Sequence, residues 1–132
     1  MAKRRRAPAR PSRAYVAGMK IRRRWLGKDY VDQAFAEADD FSIDLQHYVT
    51  EHGWGASWAR GVLPMKTRSI MNLAMISALN RPHELELHLR AALRNGITPR
   101  EIKEIFLHVA TYCGAPAAID SFRVAKKVLA EL

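Results

Sequence analysis

The stretch from Arg81 to Ala118, RPHELELHLRAALRNGITPREIKEIFLHVATYCGAPAA, constrains the fold more than any other part of the chain. Apolar residues recur in it three and four apart, the spacing of one face of an α-helix. Leu85, Leu89, Ala92 and Leu93 form one stripe, and Ile102, Ile105, Phe106 and Val109 a second. Asn95-Gly96 separates them, because residues that accept a left-handed backbone close a helix. Thr98, Pro99 and Glu101 then open the next one, as a capping hydroxyl, a first-turn proline and the glutamate of a capping box. The pattern predicts two helices joined by a tight turn. His88 lies inside the first stripe, while Glu101, Glu104, His108 and Tyr112 edge the second. Residues four apart are helix neighbours, so Glu104 reaches His108 and His108 reaches Tyr112. An imidazole between a carboxylate and a phenol, in a mostly apolar setting, is an acid–base constellation.

The same period runs through the rest. Asp29 is read as the cap of a helix over YVDQAFAEA, with Val31, Ala34, Phe35 and Ala38 on one face. Asp40 is read as the cap of a helix from Phe41 to about Glu51, with Phe41, Leu45, Tyr48 and Val49 turned inward. Gly53 to Gly61 reads as an aromatic loop whose indoles, Trp54 and Trp58, anchor it by packing. Pro64 suits the first turn of a helix from Met65 to Leu79, with Ile70, Leu73, Ala74 and Ser77 on one face and Met71, Met75 and Leu79 widening it. A helix so broadly apolar is central or sits at an interface. Gly114-Ala115-Pro116 interrupts the pattern, and a last helix packs Ile119, Phe122, Val124, Ala125, Val128 and Leu129. No strand-period alternation occurs. The expectation is an all-α protein of about six helices.

At 132 residues and 48% apolar, the chain is sized for one globular domain. No apolar run approaches the roughly 20 residues that cross a bilayer, and no apolar leader follows the basic start. Cys113 is the single cysteine, which excludes an internal disulfide framework; it reads as a small buried hydrophobe. The expected compartment is the cytoplasm. Residues 1–24 carry ten of the 22 basic groups and none of the 13 acidic ones, so the body is close to neutral despite a net charge of +9. Residues 1–18 are expected to be a disordered basic arm, and 19–132 the folded domain. A basic arm can dock on nucleic acid through counterion release, but the body has no basic stripe or recognition motif, so nucleic acid is not the expected partner.

From Lys20 onward, RRRWLGKDYVD, WGASWARGVL, KTRSIMNLAMISALNR, ELELHLRAALRNGITPREIKE and HVATYCGAPAA together resemble the carboxymuconolactone decarboxylases, in continuous order over about 110 residues. The resemblance implies an alkylhydroperoxidase-like helical subunit, assembled as a homo-oligomer (trimer or hexamer), with no metal and no organic cofactor. The implied reaction is decarboxylation of 4-carboxymuconolactone to 3-oxoadipate enol-lactone in protocatechuate degradation, the beta-ketoadipate pathway. The peroxidases of that fold use Cys-x-x-Cys-x-x-x-His. Here Arg81 and Glu84 stand in place of both thiols, so the disulfide exchange that needs two sulfurs is excluded.

The implied substrate is a small lactone carboxylate that acts as its own electron sink. The protein has to grip the retained carboxylate, stabilise an oxyanion and protonate carbon. His88 is the candidate general acid or oxyanion donor, and Glu84, one turn earlier, the group that orients it. Tyr112 is a candidate oxyanion donor supported by His108 and Glu104, and Arg60 and Arg68 are candidate carboxylate clamps. Glu104–His108 also reads as a plain helix-surface pair, and Arg68 as an interface ion pair. Two alternatives stand beside this reading. One is a family member acting on another lactone or keto acid; the other is a non-enzymatic helical oligomer whose basic arm binds nucleic acid or protein.

Overall fold

A computed structural model describes residues 10–132, and among them it contains seven α-helices and no strand. The helices are α1 (Arg13–Leu26), α2 (Lys28–Glu37), α3 (Ile43–Tyr48), α4 (Met65–Ala78), α5 (Pro82–Arg94), α6 (Pro99–Cys113) and α7 (Ala115–Ala130). That is one more than the sequence period predicts. The additional one is α1, whose polar face of arginines hides its apolar residues from a stripe count. Its start at Arg13 places residues 13–18, assigned to the arm above, within a helix capped by Ser12, whose side chain accepts from the Tyr15 N–H at 3.0 Å. Residues 1–9 of the expected arm lie outside the described residues. The described residues form two compact units, 10–62 and 63–132, a division inside the span read above as one domain.

In the first unit α1 packs against a wide π-helical turn, Val49–Gly55, that continues α3. Two glycines permit the approach. A Cβ on Gly18 would lie 2.6 Å from the Gly55 nitrogen and collide with the Thr50 carbonyl, and one on Gly55 would collide with Ala14. Arg22 fixes the same contact from inside. Its buried guanidinium donates to Gln46 Oε1 at 2.8 Å and Thr50 Oγ1 at 3.1 Å, 5.7 Å above the Phe35 ring. Trp54 and Trp58 are buried with ring centroids 4.5 Å apart, and Trp25 lies 5.7 Å from Trp58, so the indoles do pack as expected.

Three sequence expectations fail here. Gly27, not Asp29, caps α2, because α1 runs on to Leu26 and leaves only the positive-φ glycine between the helices. The third helix starts at Ile43 rather than Phe41, after a turn in which Asp39 Oδ1 accepts from the Ser42 N–H. Phe41, Leu45 and Tyr48 point outward instead of inward, with Phe41 95% exposed.

In the second unit the predicted helix–turn–helix is present. At the end of α5 the Ile97 N–H donates to the Ala92 carbonyl at 3.0 Å and the Gly96 N–H to Leu93 at 3.2 Å, with Gly96 at φ 92°. This is a Schellman closure whose apolar flank, Ile97, is buried. Thr98 then accepts from the Glu101 N–H at 3.1 Å, while Glu101 accepts from the Thr98 N–H at 2.8 Å. Leu73, Leu85, Leu89, Ile102, Phe106, Val109, Ala125 and Val128 fill the core. Glu86 pairs with Arg90 at 2.8 Å and Lys127 at 3.2 Å, tying α5 to α7. Pro64 precedes α4 as its cap rather than entering its first turn. The buried face of α4 is Ser69, Leu73 and Ser77, whereas Met71, Met75 and Leu79 are exposed. None of the helices is long and apolar enough to cross a membrane.

Candidate active site

Helix α5 delivers His88 to the interior because Leu85, Leu89 and Ala92 share its face and are themselves buried. The imidazole is 7% exposed. Burial pulls its pKa below the usual histidine value, and the Glu84 charge, one turn earlier, partly opposes that shift. His88 is therefore neutral at pH 7, with one ring nitrogen able to donate a hydrogen bond and the other to accept one. An anion brought beside it would push the pKa back up and favour the imidazolium. Glu84 is exposed in the first turn of α5, where a carboxylate also suits the positive end of the helix dipole.

The row on α6 has a different environment from the one expected. Ile102, Phe106 and Val109 turn inward, which sends Glu104, His108 and Tyr112 to the opposite, exposed side. The His108 and Tyr112 rings touch, 4.8 Å between centroids, and Tyr112 is 76% exposed. Among the described residues Glu104 and His108 form no ion pair, so the expected apolar setting for this trio is corrected to a solvent-facing one within the chain. Arg68 is half-buried on α4, and Arg60 is exposed at the end of a short 3-10 turn, Trp58–Arg60, in the first unit. Cys113, expected to be buried, is exposed at the last position of α6. Among the described residues no three histidine, cysteine or acidic side chains cluster as metal ligands would.

Ser69 and Arg22 escaped the sequence reading, which placed Ser77 on the inner face of α4 only as part of its apolar stripe. Ser69 and Ser77 are buried on α4, and their hydroxyls make no hydrogen bond among the described residues, though buried polar groups nearly always do. The spacing of Ser69, Leu73 and Ser77 was a usable signal, since residues four apart share a face. Arg22 gave no such signal: a buried arginine amid exposed ones has no mark in the sequence.

Residues 44–127 match the Carboxymuconolactone decarboxylase family. The chain is 37% identical to 4-carboxymuconolactone decarboxylase of Acinetobacter baylyi over 118 residues, covering 89% of this chain and 88% of that one. It is 38% identical to nitrosuccinic acid decarboxylase of Metarhizium robertsii over 120 residues, covering 91% and 84%.

Proposed function

This chain belongs to the carboxymuconolactone decarboxylase family and has decarboxylase activity; we propose that its substrate is 4-carboxymuconolactone and its product 3-oxoadipate enol-lactone. The observation that carries the reading is the similarity to the Acinetobacter decarboxylase across nearly the whole of both chains. The alkylhydroperoxidase-like arrangement of the helices, a homo-oligomeric state and a cytoplasmic place in protocatechuate degradation belong to the same reading.

The chemistry needs little from the protein. The leaving carboxylate sits vinylogous to the lactone carbonyl. When the carbon–carboxylate bond breaks, its electron pair moves through the ring double bond onto the carbonyl oxygen, giving a furan-type dienolate and carbon dioxide. A proton then adds to ring carbon and the carbonyl re-forms. His88 supplies the hydrogen bond or proton, since a buried imidazole becomes a stronger base as the anionic substrate arrives. Glu84 orients it. Arg68 and Arg60 are the cationic candidates for the retained carboxylate, and Tyr112 with His108 the candidate oxyanion donors.

The similarity to the Metarhizium protein favours a second reading. In nitrosuccinic acid the nitro group plays the part of the lactone carbonyl, taking the electron pair as a nitronate, and a second carboxylate again remains on the neighbouring methylene. Both readings require the same protein groups. Incubating the purified chain with each acid separates them. Ultraviolet loss of the lactone with stoichiometric carbon dioxide supports the first. Turnover of nitrosuccinic acid alone supports the second and overturns the first.

A further inference from the structure

Two surfaces in separate parts of the chain, one an apolar ridge and one an apolar groove, carry opposite charge. The first is a ridge. Phe41, Leu45 and Tyr48 follow one another at helical spacing on and just before α3, 95%, 61% and 63% exposed. The ridge is about 10 Å long at the helical rise of about 1.5 Å per residue. Asp40 and Asp44 flank it, exposed and in no ion pair among the described residues. The sequence around it is acidic: from Asp29 to Ala59 it holds seven acidic residues and no lysine or arginine, and of these seven Asp32 is paired with Arg23 of α1 and Lys28 of its own helix.

The second surface is a groove of about 450 Å³ between the first half of α6 and the second half of α7. Its floor is Ile102, Phe106, Phe122 and Leu129, and Arg100, Lys103 and Lys126 stand along it. None of these three cations forms an ion pair among the described residues, although Lys66, Arg90, Arg123 and Lys127 of the same unit all do. The groove is lined by none of the six residues named above for catalysis or substrate binding.

We propose that the α3 ridge of one copy docks in the α6/α7 groove of a second copy, with Asp40 and Asp44 meeting Lys103 and Lys126. Three large apolar side chains in one exposed row are far outside the scatter of single apolar residues on an ordinary surface. The acidic rim suits the basic groove, repels another ridge, and is wrong for nucleic acid. Because ridge and groove are different surfaces of the chain, a head-to-tail contact closes a ring, whereas two copies that exchange ridges form a two-fold dimer. The apolar row supplies most of the affinity, and the charges set the register. This assembly is independent of which acid is the substrate.

The test uses the full chain with Cys113→Ser. One preparation carries Leu45→Cys and a second, with a different tag, carries Leu129→Cys. Mixing them with a short bismaleimide is expected to give a two-tag product as the main cross-linked species. In parallel, Asp40→Lys with Asp44→Lys should weaken self-association at least tenfold by sedimentation equilibrium with circular dichroism unchanged. Adding Lys103→Glu and Lys126→Glu to that variant should restore it. A wild-type chain that sediments as a monomer at tens of micromolar overturns the proposal. So does the absence of a two-tag product, or linkage only within one chain when both cysteines are placed together.

Discussion

His88 concentrates the functional argument at the scale of single residues. Its burial and its depressed pKa make the protein's stability depend on pH in a defined direction. The unfolded chain takes up a proton on this ring near pH 6.5, while the folded chain resists until the pH is lower. The native state is therefore fully stable, as far as this group is concerned, above the unfolded value, and loses stability as the pH falls from there through the depressed folded value. His88→Gln, neutral throughout, should flatten that limb in urea unfolding curves taken between about pH 4.5 and 7. An unchanged limb in the variant would assign the loss to another group. Glu84 is exposed, so its influence is screened by solvent, and Glu84→Gln should lower the His88 pKa only slightly.

At the scale of elements, the two caps around residues 95–101 and the glycine contact of α1 carry separable predictions. Thr98→Ala removes the acceptor for the Glu101 N–H and should lower stability by about 1 kcal/mol in chemical denaturation. Gly18→Ala is a harsher change, because the added methyl meets backbone rather than a flexible side chain. Overpacking of this kind costs about 1–3 kcal/mol or more, and the loss should appear as reduced Trp25, Trp54 and Trp58 protection by fluorescence quenching. A Gly18→Ala protein with wild-type stability would mean that α1 does not sit against the π-helical turn. The same elements show what the sequence revealed. Helices α5 and α6 were legible to within a residue, since their stops are chemical: Asn95-Gly96, Thr98-Pro99 and Glu101 each leave one backbone option. The π-helical turn was not, because no residue type in Val49–Gly55 demands it and the helix it packs against, through Gly18, is distant in sequence. Nor was the orientation of α3. Phe41, Leu45 and Tyr48 have the spacing of a core stripe, and periodicity cannot distinguish a core within the chain from a contact outside it. His88 was legible as a buried imidazole because its neighbours Leu85, Leu89 and Ala92 settle which way it faces. His108 and Tyr112, on the edge of a stripe, were not settled in this way.

For the whole molecule, the apolar residues left outside, among them Phe41, Leu45, Met75, Leu79 and Tyr112, include the ridge that the proposed contact between copies would cover, and the opposed charges of α3 and the α6/α7 groove would set its register. An exposed His108–Tyr112 pair acquires a less polar setting if assembly covers that face of α6, so activity that falls on dilution together with oligomer size would tie the two. The proposed chemistry rests on two points: that the substrate takes up its own electron pair, and that His88 provides the proton or hydrogen bond the reaction needs. Its most direct measurement is steady-state turnover of 4-carboxymuconolactone by the wild type, His88→Ala and His88→Gln under identical conditions, with folding checked by circular dichroism. In both variants kcat is expected to fall about 10²–10⁴-fold, the range that general acid–base groups supply; full turnover by a folded His88→Ala would rule out that role for His88.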